Sequence, residues 1–191
     1  MLRNRIFHLA LVMTIVVLVS NSGHALDSLI VNINQAATIV NPEDATDVRA
    51  LLRFDLPTEM DTTKIVTFAE LRFRVNTPVA FERPIRLKIC PITRNWSPTG
   101  NIGWSGPWTH PGGDFADTIS CMAHIDTCGQ TTIKADVARL IRYYINNNLE
   151  NNGLIIYQHG NLRRAFSIVN NRLPGTAVAQ LAIYYVDMNR E

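Results

Sequence analysis

Short windows of this chain alternate apolar with polar residues, the period of a pleated strand that keeps one face in a core and the other in water. The clearest runs from Ala69 to Val75: Leu71, Phe73 and Val75 fall on one side, Glu70, Arg72 and Arg74 on the other. The same reading predicts strands at 28–33, 50–56, 67–75, 85–92, 153–158, 164–169 and 178–186. Between them stand turn-forming groups such as Asn41-Pro42, Thr77-Pro78, Pro98-Thr99-Gly100 and Pro174-Gly175. Many short strands punctuated in this way predict an all-β fold, an antiparallel jelly-roll β-sandwich. Residues 133–149 break the pattern. There Val137, Leu140, Ile141, Tyr144 and Ile145 recur at helical spacing behind Asp136. We expect one short helix of about three turns, capped by Asp136 and ended by Asn146-Asn147-Asn148 in a left-handed turn. Its place in a sandwich is as a plug at one end of the core.

The N-terminus is organised differently. Arg3 and Arg5 precede an apolar run from Ile6 to Val19, interrupted by His8 and Thr14, and then a polar patch ending Gly23-His24-Ala25. That layout is a secretory signal peptide over residues 1–25, cut before Leu26. The run falls short of the roughly 20 apolar residues of a spanning helix, so no membrane contact is expected beyond the leader. Residues 26–191 then form one exported domain, secreted or held at the cell surface. Losing the leader removes Arg3 and Arg5 and no acid, which leaves sixteen basic against sixteen acidic residues. A neutral chain gives no bulk-charge reason to bind nucleic acid.

Export to an oxidising compartment predicts a disulfide among Cys90, Cys121 and Cys128. Cys121 with Cys128 closes the shortest loop and leaves Cys90 as the odd thiol. The rival is a zinc site of Cys121, His124 and Cys128, whose spacing fits no common ligand set.

Catalysis would need a base, an acid or a nucleophile with a partner. His110, His124 and His159 sit among loop-like neighbours, and none of the usual nucleophile, zinc or phosphate motifs accompanies them. Asp114 and Asp117 form a close carboxylate pair among aromatic residues. Turn formation or a structural calcium suits them better than an acid and nucleophile, and Gly112-Gly113-Asp114-Phe115 reads as a tight turn with Asp114 bonded to its own backbone. No other cofactor is expected, and no enzyme activity.

Two features could meet a ligand. Trp96, Trp104 and Trp108 gather in one Pro- and Gly-rich stretch. Trp96 reads as a loop anchor, while Trp104 and Trp108 stay open between anchoring and offering a flat face to a sugar ring. The second feature is cationic. If the strand at 67–75 pairs as a hairpin with the strand at 85–92, then Arg72, Arg74, Arg86 and Lys88 share one outer surface, partly neutralised by Glu70 and Glu82. Like charges across strands cost stability, so such a surface is either a solvated face or a site for a polyanion.

A succession of landmarks resembles a known family. They are Leu51-Leu52-Arg53-Phe54-Asp55-Leu56-Pro57, Ala69-Glu70-Leu71-Arg72-Phe73, Asn95-Trp96-Ser97, Trp104, Gly113-Asp114-Phe115, Asp136-Val137-Ala138, Tyr143-Tyr144, Asn152-Gly153-Leu154-Ile155-Ile156, Ala165-Phe166-Ser167 and Gln180-Leu181-Ala182-Ile183-Tyr184-Tyr185. Their order is similar to that of the DNRLRE domain, also described as disaggregatase-related and close to carbohydrate-binding module family 96. The resemblance implies a secreted, non-catalytic jelly roll, often appended to polysaccharide lyases, hydrolases or surface proteins, with some members binding acidic polysaccharide such as alginate. The expected partner is therefore an extracellular polysaccharide, and the alternative is a structural or adhesive surface component. Phe54, Leu56, Leu71, Phe73, Leu87, Ile89, Leu154, Ile156, Phe166, Ile183 and Tyr185 are the expected core.

Overall fold

Ten strands and one helix follow from these patterns in a computed structural model that describes residues 26–33, 35–77, 83–147, 150–160, 166–168 and 178–189. The leader reading concerns residues 1–25 and lies outside them, as do Glu82 and part of the strand expected at 164–169. In chain order the elements are β1 (Leu26–Ile33), β2 (Gln35–Val40), β3 (Val48–Arg53), β4 (Lys64–Thr77), β5 (Ile85–Pro91), β6 (Cys121–Ile125), β7 (Gly129–Asp136), α1 (Ala138–Asn146), β8 (Leu154–Gln158), β9 (Ser167–Ile168) and β10 (Ala179–Asp187).

The strands make two antiparallel five-stranded sheets. The first runs β1-β10-β4-β7, with β9 pairing β4 at Val75 and Asn76, and the second runs β2-β3-β8-β5-β6. Setting β2 and β9 aside, β1-β10-β4-β7 lies against β3-β8-β5-β6, which is the strand order of a jelly roll. The sandwich expected from alternation is therefore the fold. Its inner faces share one core, and all eleven residues named above belong to it, Leu56 and Tyr185 at its partly buried margin. Each fully buried side chain of this size is worth about 1.5–3 kcal/mol, so the alternation and the topology stabilise one another.

The helix is shorter than its apolar spacing suggested. Residues 129–136 are β7, because Ile133 and Ala135 alternate inward while Gln130, Thr132 and Lys134 face water. Asp136 still serves the helix start: its Oδ1 accepts the Ala138 N–H at 2.9 Å. At the other end Asn147 has φ −97°, outside the left-handed region, and its side-chain Nδ2 donates to the Tyr143 carbonyl at 2.9 Å, while Asn148, the last residue of the expected cap, lies outside the described residues. Leu140, Ile141, Tyr144 and Ile145 enter the inter-sheet core as the chain crosses from β7 to β8. Val137 N–H donates to the Ala69 carbonyl and Arg142 Nε to the Val66 carbonyl, which ties the plug to β4.

Two expectations are corrected here. Cys121 and Cys128 are unpaired, as is the buried Cys90. Cys121 begins β6, which extends about 13 Å to Ile125 at 3.3 Å per residue, and Cys128 follows the turn beyond that far end, whereas a disulfide needs Cα atoms within about 7 Å. Strand alternation also breaks the zinc reading, since Cys121 packs toward the core while His124 faces out. Among the described residues no three His, Cys, Asp or Glu side chains converge on a metal position. The second correction concerns the cations. β4 and β5 do not pair; they lie in different sheets. Arg72 and Arg74 point out from the first sheet and Arg86 and Lys88 from the second, so the four never share a surface.

Candidate functional site

Between β5 and β6 the chain spans residues 92–120 and lies across the outer face of the second sheet, giving that sheet a second core. Trp96 and Trp108 enter it against Ile39, Leu51, Cys90, Ile92 and Ile155. Trp96 is 3 % exposed and its Nε1 donates to the Asn152 carbonyl at 2.8 Å. Trp108, at 7 % exposure, donates to the Gly103 carbonyl at 2.9 Å. Both are loop anchors, as expected for Trp96. For Trp108 the ring lies in the core and presents no open face. Burial in the same cluster pushes the Cys90 thiol up to about 11.

Arg49, on β3, locks the loop down. Its guanidinium carbon stands 4.5 Å from the Trp104 ring centre, 5.6 Å from Phe115 and 5.4 Å from Tyr157. Nη1 donates to the Gly112 carbonyl at 2.8 Å, and Asp47 lies 3.7 Å from Nε. A planar cation among three ring faces is held by their quadrupoles. Gly112 is required beneath it: φ is +88°, and an added Cβ would stand 2.7 Å from the guanidinium. Trp104, half-buried, is thus a lid on Arg49 and keeps part of its surface open.

Beside this lock opens a cleft of about 780 Å³, lined by Arg94, His110, Asp114, Phe115, Asp117 and Tyr157 among others. Phe115 and Tyr157 form its aromatic floor, ring centres 5.3 Å apart and planes at 48°. Asp114 shapes the rim. Its Oδ2 accepts the Thr109 N–H at 2.7 Å and its Oδ1 the His110 N–H at 3.1 Å, with Arg94 Nη1 at 3.7 Å. Partial burial pushes its carboxyl up, and the donated amide hydrogen bonds outweigh that and hold it below the usual range. The backbone-bonded turn expected for Asp114 is what forms.

Asp117 lies beside the floor, its side chain more exposed than that of Asp114. Lys88 Nζ is 2.6 Å from its Oδ1, and the Tyr157 hydroxyl donates to the same oxygen at 2.6 Å. The Lys88 hydrogen bond, then that of Tyr157, lowers the Asp117 carboxyl, while burial and this acceptor push the Tyr157 hydroxyl up. Asp114 is thus committed to loop amides and Asp117 to a cation and a phenol.

Of the residues singled out in sequence, Lys88 and Trp104 border this site, and Arg86 lies one alternation beyond Lys88 on the same outer face. Arg72 bonds Glu70, and Arg74 Nη2 donates to Gln130 at 2.8 Å, both on the opposite side of the molecule. Sequence reasoning missed Arg49, Arg94 and Tyr157. No protein-family model and no curated protein matches the chain.

Proposed function

We propose that the domain is a secreted, non-catalytic module that binds an extracellular polysaccharide in the cleft on the outer face of the second sheet. One observation carries this reading: an open aromatic floor is bordered by charged and hydroxyl side chains already fixed by hydrogen bonds. Pyranose rings stack on such floors through their C–H faces, and a preset polar rim orders their hydroxyls at little entropic cost. Arg94, half exposed at the rim, adds a cation for an acidic sugar. The resemblance to the DNRLRE domain supports the same ligand class and the absence of catalysis. The carboxylates also suit binding better than hydrolysis, since neither is free to act as acid or nucleophile.

The test is affinity electrophoresis of the purified domain through gels carrying a polyuronate, a sulfated polymer or a neutral glucan. Retardation by at least one polymer is expected. It should be lost in Phe115→Ala and weakened about tenfold in Arg94→Ala, with the fold intact by circular dichroism. Equal retardation of both variants would place binding elsewhere. A structural or adhesive role is the second reading, and one feature favours it: Leu26, Ile30, Ile65 and Phe68 stand exposed on the outer face of the first sheet. No retardation by any polymer, together with self-association in sedimentation, would select it.

A further inference from the structure

Beyond Lys88 the second sheet carries a row of side chains that the cleft does not use. Arg86 on β5 pairs directly with His124 on β6. On its other flank the β5/β8 register places Lys88 opposite Tyr157 and Leu87 opposite Gln158. Carried one step further it brings His159 opposite Arg86, and the His159 N–H donates to the Arg86 carbonyl at 2.8 Å. His124, Arg86 and His159 thus stand abreast on three adjacent strands, about 4.8 Å from strand to strand. Ile85, Leu87, Ala123 and Ile125 turn into the inter-sheet core, so Arg86 and His124 on the alternate positions point outward; all three members of the row are exposed.

Basic groups directly opposite one another across strands destabilise a sheet unless acids intervene. Among the described residues none stands in the row. Asp117 is held by Lys88 and Tyr157 and its charge also reaches His159 from the neighbouring row, Asp114 is held by the loop amides, and Asp126 follows β6 in the turn. The next row toward the cleft is Met122, Lys88 and Tyr157. His110, the third histidine among the described residues, lies at the cleft rim with its Nδ1 3.3 Å from Asp114 Oδ1 and Arg94 nearby. The described histidines are therefore gathered on one outer face, together with Arg86, Lys88 and Arg94.

We propose that His124, Arg86 and His159 form a subsite for the anionic groups, carboxylate or sulfate, of a polymer chain that runs on from the cleft. The proposal rests on the reading that the cleft takes a glycan. The Arg86 guanidinium supplies the charge and the flanking imidazoles add hydrogen-bond donors, so a carboxylate or sulfate set across the row meets side chains from three adjacent strands.

The experiment is isothermal titration of the full domain with oligomers of a polyuronate, a sulfated glycan and a neutral glucan, at low and at high salt. The anionic oligomers are expected to bind about tenfold more tightly than the glucan at low salt, each exposed charge contact contributing a few-fold, and to lose that advantage at high salt. Arg86→Gln, and His124→Gln with His159→Gln, should each weaken anionic binding about threefold to tenfold and leave the glucan unaffected. Unchanged anionic affinity in both variants, or an equal loss for the glucan, overturns the subsite while the cleft reading stands. Failure of every oligomer to bind overturns both.

Discussion

An alanine at position 153 is expected to cost about 4 kcal/mol or more of stability in a denaturant titration, whereas an alanine at position 129 costs about 1–2 kcal/mol. Both glycines hold positive φ, +85° and +81°, so both replacements carry the strain of a left-handed residue. They differ in what a Cβ would meet. At Gly129 nothing lies within 4 Å, while at Gly153 the Leu52 carbonyl oxygen would be 2.1 Å away and the Arg53 Cα 3.0 Å. Those atoms are backbone of β3 and cannot rotate aside. Gly153 is also a junction: its carbonyl accepts the Ile92 N–H at 2.9 Å and the Tyr144 hydroxyl at 2.6 Å. Moving it strains the helix, the second sheet and the root of the long loop together. Equal costs at the two positions would mean that β8 does not start against β3 as described.

Replacing Arg49 by methionine should lower the melting temperature by about 5–10 °C, equivalent to about 2–3 kcal/mol in a domain of this size, and shift tryptophan emission to the red. Methionine keeps the apolar stem but loses the guanidinium among Trp104, Phe115 and Tyr157 and the hydrogen bond to the Gly112 carbonyl. The loop would then lift from the second sheet and the cleft floor would lose its fixed angle. Arg49→Lys should recover little, because an ammonium is neither planar nor able to fork between a carbonyl and a carboxylate. Unchanged melting in both variants would contradict the lock.

How legible this was in the sequence depends on the distance over which each feature is decided. Alternation within a strand is local, and it identified the core side chains Leu71, Phe73, Leu87 and Ile89 without knowledge of their partners. It says which face a residue takes but not which sheet, and that is where the four-cation surface failed. Arg72 and Arg86 both point outward, on opposite sides of the molecule. β6 and β7 were missed because Ala123 and Ala135 are small enough to blur their period, and because Cys121 and Cys128 invited a loop reading. A signal for the covered face was present. Leu51-Leu52 and Leu154-Ile155-Ile156 are unbroken apolar runs, as strands buried on both faces should be, and the tryptophan-rich stretch is what covers them. Arg49 carried no local mark, since its three aromatic neighbours come from residues 104, 115 and 157.

The central claim, that one outer face of the sandwich is the binding face, is tested most directly by amide chemical-shift mapping during titration with an acidic oligosaccharide at low salt. Perturbations are predicted at Arg94, His110, Phe115 and Tyr157 and onward to Arg86, His124 and His159, with the first sheet silent. Shifts centred on Arg72, Arg74 and Lys134 would contradict it.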